Sequence, residues 1–242
     1  MKSMLFAAGL GTRLRPLTND RPKAMVQVKG KPLLQWAIEK LIASGCEEMI
    51  INVHHYAEMI IDFLRVKNNF GIDIEISDET EKILETGGGL KKAQHFFRGD
   101  APFIICNVDI LSNIDLIKFY EHHLATNALA TLAIRNRSTS RYLLFDPKNR
   151  LVGWKNEKSG EIKSHLRHDQ INDPSIKKLA FSGMHVLSPQ IFEFMSNEDK
   201  FSIIDVYLRA MKNNLIAGYP HDQDFWLDVG KPESLKIAEQ SD

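Results

Sequence analysis

Along the first half of the chain, short apolar runs alternate with stretches whose apolar residues recur at helical spacing. Residues 3–8 form an apolar run closed by Gly9, and 48–53 (EMIINV) form another. Residues 72–76 alternate apolar and polar, and 101–108 (APFIICNV) are again nearly continuous, so each of these segments predicts a strand. Residues 32–44 (PLLQWAIEKLIAS), 57–66, 89–97 and 116–124 carry the helical period, and 128–134 adds a further strand. Pro32 opens the first of these helices and Gly45 follows its end, which is the expected punctuation. Strands alternating with helices of about ten residues predict an α/β fold with a mixed, mostly parallel sheet covered by helices on both faces. The apolar strands agree, because such strands are buried on both sides. Ligands bind beyond the carboxyl ends of the strands in sheets of this kind, so those ends are where chemistry is sought.

The pattern changes after about residue 140. Residues 142–145, 151–154 and 180–187 read as strands, and the polar stretch 155–178 as exposed turns. A helix over 203–211, strands over 216–219 and 225–229, and a helix over 233–239 follow. The sequence contains no internal repeat, low-complexity tract or flexible linker. The expectation is a single domain over 1–242, with one half over roughly 1–135 and a second over roughly 136–242 that carries a small lobe.

Composition narrows the function. Thirty-one Lys+Arg balance 31 Asp+Glu, for a net charge of zero. Binding a nucleic-acid backbone or an anionic membrane needs an excess of cations, so neither partner is expected. A small anion held by a few local groups is compatible with that balance. Cys46 and Cys106 sit at the edges of apolar runs and read as buried thiols rather than a disulfide. No signal peptide is visible, and the longest stretch without Asp, Glu, Lys or Arg, 179–192, is too short to span a bilayer. A cytoplasmic protein is expected.

The first predicted strand runs into Ala7-Ala8-Gly9-Leu10-Gly11-Thr12-Arg13-Leu14-Arg15. Two glycines after a strand allow a sharp turn and close approach to a ligand. Successive amides there form an anion-binding concavity, to which Arg13 and Arg15 add cations. A dinucleotide fingerprint needs a third glycine at position 14, which is Leu14; a Walker A loop needs Gly-Lys-Ser/Thr, whereas Gly30-Lys31 and Gly230-Lys231 both precede Pro. Ten residues on, Arg21-Pro22-Lys23 supplies a further cation. Asp109 and Asp228 each stand at the carboxyl end of an apolar strand, where Asp is uncommon. Two such carboxylates beside a phosphate loop would suit Mg²⁺. Glu85-Thr86-Gly87-Gly88-Gly89 precedes the helical stretch and leaves the backbone open to a flat ligand. His54-His55 and His122-His123 do not suggest a metal, since adjacent side chains on a strand point to opposite faces. Trp36 reads as a core residue.

Together, the segment from Ala7 to Leu14 and the later Arg21-Pro22-Lys23 resemble the signature of the sugar-1-phosphate nucleotidylyltransferases. The likeness continues through Leu84–Gly89 (nucleoside segment), Asn107-Val108-Asp109 (metal Asp), 181–186 (sugar-binding strand) and Trp226–Gly230 (second metal Asp). The Leu-Glu-Thr-Gly-Gly-Gly form and the short length most resemble the N-acetylmuramate-1-phosphate uridylyltransferase branch, with the mannose-1-phosphate guanylyltransferase-like branch close behind. The resemblance implies a Rossmann-like nucleotide-diphospho-sugar transferase fold, nucleotide-binding in the first half and sugar-binding in the second. It implies Mg²⁺-dependent transfer from a nucleoside triphosphate (UTP, GTP or dTTP) to a sugar 1-phosphate, with UTP and N-acetylmuramate 1-phosphate the first choice, by a monomer or small homo-oligomer. By resemblance, Arg13 and Lys23 are catalytic; Ala8, Gly9, Gly11, Thr12, Glu85, Thr86 and Gly87 bind nucleotide; Asn107, Lys155 and Gly183 bind the sugar phosphate; and Asp109 and Asp228 hold the metal. Two departures stand out: Val108 replaces a common Gly, and Trp154-Lys155-Asn156 replaces a common Glu-Lys-Pro. Three alternatives stay open: another hexose or heptose 1-phosphate as acceptor, a phosphocholine-type cytidylyltransferase, and a non-catalytic nucleotide-sugar sensor.

Overall fold

The structure is a computed structural model that describes residues 1–240. The first half alternates as its periodicity predicts. Strand β1 (Lys2–Phe6) leads into the glycine loop and two 3-10 turns, Thr12–Leu14 and Lys23–Met25. A short hairpin, β2 (Gln27–Val28) and β3 (Lys31–Pro32), precedes helix α1 (Leu33–Ala43). Strand β4 (Glu48–Val53), helix α2 (Ala57–Val66), strand β5 (Asp73–Asp78) and helix α3 (Glu85–Lys92) follow. Next come β6 (Phe103–Asn107), β7 (Ile110–Ser112), α4 (Leu116–Thr126) and β8 (Ala130–Arg135). The second half contains β9 (Arg141–Phe145), β10 (Leu151–Asn156), β11 (Ile162–Ser164), α5 (His168–Ile171) and β12 (Lys177–Leu187). It ends with α6 (Ile203–Ala210), β13 (Ile216–Pro220), β14 (Trp226–Asp228) and α7 (Pro232–Gln240).

Helix α1 forms because Leu34, Ile38 and Leu41 recur on one buried stripe, and it stops at Gly45, whose φ of 84° L side chains rarely adopt. Helix α4 starts where the Asp115 carboxylate accepts hydrogen bonds from the Ile117 and Lys118 amides at 3.1 and 3.0 Å. Within the main sheet, β5, β4, β1 and β6 lie side by side and parallel, so their carboxyl ends share one edge. Strand β12 joins β6 antiparallel and then carries β8 and, through its first residues, β9, β10 and β11. The order β11-β10-β9-β12-β6-β1-β4-β5, with β8 and β13 branching from β12, makes a mixed α/β sheet.

Burial on both faces is visible residue by residue. Met4 and Phe6 of β1 pack in a core with Leu90 of α3 and Val206 and Tyr207 of α6. Leu5, between them, packs on the opposite face with Leu34 and Ile38 of α1, Ile60 of α2 and Phe119 of α4. The period-two alternation of a strand thus feeds two cores.

Three local expectations need correction. Glu85 to Gly89 do not precede a helix; they are its first turns, since α3 begins at Glu85. The glycines serve packing: a Cβ on Gly88 would lie 1.9 Å from the Asp199 carbonyl oxygen, and one on Gly87 2.4 Å from the Phe201 ring. The polar stretch 155–178 is not all turns, because β11 extends the sheet edge and α5 adds a short helix. His122 and His123 lie on α4, and His123 is buried between the Thr131 and Ser188 hydroxyls at 2.9 and 3.0 Å.

Candidate active site

The carboxyl ends of β1, β4 and β6 and the chain after β5 converge on a cavity of about 310 Å³. Ala8, Gly9, Lys23, Glu85, Thr86, Asn107 and Asp109, all singled out in the sequence, line it. The loop that follows β1 is exposed at Gly9, and among the described residues the amides of Ala8, Gly9, Leu10 and Gly11 donate to no protein acceptor. Gly11, with φ of 63°, turns the chain back so that its carbonyl accepts from Leu14 N and Thr18 Oγ1, both at 2.9 Å. A row of unpaired amides at a strand's end is suited to an anion.

Two cations and two carboxylates meet beside this loop. Lys23, on its 3-10 turn, is 8% exposed and ion-paired with Asp109. Asp109 bridges β6 to β7, and β7 pairs with β14 so that Ile110 faces Asp228. The Asp109 carbonyl accepts the Val229 amide at 2.9 Å, which ties the two carboxylate-bearing segments together. A side chain on Gly230 would meet Arg13 Nη2, Asp228 Oδ1 and Lys23 Nζ at 2.6, 2.7 and 3.1 Å from its Cβ. Three charged groups therefore ring one small space, which only glycine leaves open. Asp228 Oδ1 also accepts the Gly230 amide at 2.8 Å.

Gly183 stands across from these groups on β12, at a break in register between Phe181 and His185. Its φ of 77° lies in the left-handed region, and a Cβ there would come within 2.9 Å of both Asn107 Nδ2 and an Ile110 side-chain carbon. Glycine is needed there because the Asn107 and Ile110 side chains pack against it; Gly183 itself does not line the cavity.

The structure also adds residues that the sequence patterns did not mark. Asn52 is buried at the end of β4; its Oδ1 accepts the Ala7 amide at 2.8 Å and its Nδ2 donates to Glu79 Oε1 at 2.7 Å. Glu79, 2% exposed, lines the cavity and also accepts the Leu84 amide at 3.4 Å. Burial pushes its carboxyl pKa up, against the opposing pull of those two hydrogen bonds. A polar residue inside the apolar run EMIINV was the available signal for Asn52; Glu79 sits in a polar stretch and gave none.

Of the expected residues, Gly11, Thr12, Arg13, Gly87, Lys155, Gly183 and Asp228 do not line this cavity, and two of them are engaged in other contacts. The Gly87 amide is spent on the Phe201 carbonyl at 2.9 Å, and Gly87 packs against the Phe201 ring rather than lining the cavity. Lys155, on β10, pairs with Glu157 at 3.0 Å, the same carboxylate that Lys178 approaches at 2.9 Å, and it does not line the cavity. Thr86 lines the cavity but its Oγ1 also accepts the Ile203 amide at 3.0 Å, so it fixes the start of α6 as well.

The arrangement brings unpaired amides, two cations and two carboxylates together beside the carboxyl ends of the strands, and the amides and cations are suited to phosphate oxygens. Comparison with known proteins agrees. A family model described as nucleotidyl transferase matches residues 2–242. The N-acetylmuramate alpha-1-phosphate uridylyltransferase of Caulobacter vibrioides is 31% identical over 98% of this chain and 95% of its own length. That of Neisseria meningitidis is 30% identical over 99% and 97%. In three dimensions, HddC from Yersinia pseudotuberculosis, complexed with GMP-PN, superposes with a TM-score of 0.77 over 99% of this chain and 98% of its own, at 24% identity, a likeness of fold. The chain belongs to the nucleotidyl transferase family and stands among its sugar-1-phosphate nucleotidyltransferases. Among the described residues, no helix is long and apolar enough to cross a membrane.

Proposed function

We propose that the protein transfers a uridylyl group from UTP to N-acetylmuramate 1-phosphate, releasing pyrophosphate. The observation that carries the transfer reaction is the ring of Arg13, Lys23 and Asp228 around Gly230, with Asp109 on Lys23 and the unpaired amides of the glycine loop alongside. The likeness to two N-acetylmuramate alpha-1-phosphate uridylyltransferases along almost the whole chain supports the choice of donor and acceptor.

Both reactants are polyanions that repel each other. The task is therefore positioning and neutralisation more than proton transfer. The amides of Ala8, Gly9, Gly11 and Thr12 cradle the triphosphate. Arg13 and Lys23 neutralise the charge that develops as the bond from the α-phosphorus to pyrophosphate breaks. Glu85 and Thr86 face the base and ribose, and Asn107 and Gly183 leave room for the sugar. An oxygen of the sugar 1-phosphate attacks the α-phosphorus in line.

Asp109 and Asp228 fit Mg²⁺. Both offer hard oxygen donors from adjoining segments. Mg²⁺ draws most of its ligands from phosphates and water, so two carboxylates are an adequate protein share. When bound, Mg²⁺ would supply charge neutralisation at the phosphates.

Pyrophosphate release, measured with Mg²⁺ over a matrix of common triphosphates and sugar 1-phosphates, tests the reading. UTP with N-acetylmuramate 1-phosphate should be the best pair. Release from no pair overturns the reaction; a better rate with GTP and mannose 1-phosphate overturns the substrates.

A further inference from the structure

Beyond β8 the chain carries Arg137 over the strand that holds Gly183. Its Nη2 donates to the Phe181 carbonyl at 3.1 Å, and its Cζ lies 4.6 Å from the centre of the Trp226 ring. Trp226 is itself fixed, since its Nε1 donates to the Ser182 carbonyl at 2.9 Å. Segment 181–183 therefore holds the guanidinium at one end and opens beside Asn107 at the other.

Arg137 is a cation with unmet demand. Its Nε is buried and has no hydrogen-bond partner, and among the described residues no carboxylate pairs with it within ion-pair distance. Burial pulls its pKa down, and the charge of Asp228 is the main influence that pushes it back up. Arg135 differs: it faces the same ring at 5.6 Å but reaches the Asp224 carbonyl. A half-buried guanidinium with an unpartnered Nε and no ion-paired carboxylate is costly to keep. The cost falls if an oxyanion joins it, and the planar fork suits phosphate or carboxylate oxygens.

We infer that Arg137 is an acceptor-binding residue, whose guanidinium takes an anionic group of the sugar phosphate next to Trp226 and Asp228. The inference rests on reading this cleft as a sugar-1-phosphate nucleotidyltransferase site. The anion has two sources: the 1-phosphate, or a carboxylate elsewhere on the sugar, such as the lactyl group of N-acetylmuramate.

The experiment compares wild type, Arg137→Gln and Arg137→Lys, with matched melting temperatures as the check on folding. N-acetylmuramate 1-phosphate and N-acetylglucosamine 1-phosphate, which lacks the lactyl carboxylate, are the two probes. Arg137→Gln should raise the acceptor KM about 10- to 100-fold and leave the KM for the triphosphate unchanged; Arg137→Lys, which keeps charge but loses the fork, should recover part of that loss. Calorimetric titration with each acceptor alone reads the same contact without turnover, so failure of the transfer reaction and failure of this inference are told apart. Equal weakening of both acceptors assigns the phosphate, and weakening confined to the muramate assigns the carboxylate; either supports the inference. Unchanged acceptor affinity in Arg137→Gln, an effect falling on kcat or the triphosphate alone, or a wild type that binds neither acceptor overturns it.

Discussion

At the scale of single residues, the Lys23–Asp109 pair is the hinge of the site. Both side chains are largely buried, at 11% and 15% exposed, and each is the other's counter-charge. Removing one partner of such a pair leaves an uncompensated charge and costs about 3 kcal/mol. Lys23→Met should therefore lower the melting temperature. If Asp109 holds Mg²⁺ as proposed, the vacated place beside it admits the ion, so the stabilisation by millimolar Mg²⁺ in a thermal-shift titration should be larger in the variant than in wild type. An equal or smaller Mg²⁺ shift would remove Asp109 from the metal site. Asp228 makes the complementary case. It is half-buried, and its Oδ1 accepts the Gly230 amide, an acceptor that Asn also supplies. Asp228→Asn should keep the melting temperature nearly unchanged while turnover falls by about 10²- to 10³-fold. Near-wild-type pyrophosphate release in that variant would show that the carboxylate charge is not needed.

At the scale of elements, glycines divide into two kinds that look alike in a one-dimensional pattern. Gly9 is exposed, with nothing within 4 Å of the place a Cβ would occupy. Gly9→Ala should leave the fold intact and raise the KM for the triphosphate, because the added methyl lies in the loop proposed to cradle the phosphates; an unchanged KM would place the triphosphate elsewhere. Gly88 lies inside α3, where alanine is intrinsically favoured by about 1 kcal/mol. Its Cβ would nonetheless strike the Asp199 backbone at 1.9 Å, and backbone does not give way cheaply. Gly88→Ala should therefore destabilise by about 2 kcal/mol, a fall of about 4–8 °C in melting temperature; a gain in stability would show that the 199–201 segment moves freely. The periodic elements were legible because period and punctuation agreed: Pro32 and Gly45 bracket α1, and β4 and α2 match the segments 48–53 and 57–66. The glycine run was not, because its meaning depends on a segment more than a hundred positions later. Strand β11 was hidden in the polar stretch for a similar reason: it is an edge strand with its first two residues exposed, so no apolar alternation marks it. Lys23, Asp109 and Asp228, which the structure brings together, were marked in the sequence by strand ends or a motif, whereas the contacts of Asn52, Glu79 and Arg137 come only from what folds against them.

At the scale of the whole molecule, zero net charge is an average over a divided interior. Cations and carboxylates gather at the cleft, while three histidines, one on α4, one on β12 and one just after β13, are buried in the packed interior. His123, His185 and His221 are 1%, 1% and 4% exposed. Burial lowers their pKa values from 6.5 to about 4, about 3 and about 4. His185 is hydrogen-bonded to the Tyr207 hydroxyl, and His221 to the Ser182 hydroxyl at 2.7 Å, with Asp224 3.8 Å from its other nitrogen. All three are neutral in the native protein at pH 7, whereas in the unfolded chain they take up protons below about pH 6.5. The unfolded state then binds more protons, so the stability they confer is full above pH 6.5 and is lost as pH falls towards 4. Each contributes a slope of about 1.4 kcal/mol per pH unit at most. Glu79 opposes this over part of the range, since its raised pKa favours the folded state in acid. His122, whose pKa burial also lowers, adds to the three, and four groups against one set the sign. Urea unfolding at pH 8, 6.5, 5.5 and 5 should show a plateau down to about pH 6.5 and then a decline. Replacing His221 by Gln, whose amide reaches the Nε2 position facing Ser182 but does not titrate, should make that decline shallower. A flat profile between pH 6.5 and 5 would mean that these histidines meet water or a counter-charge in the native state.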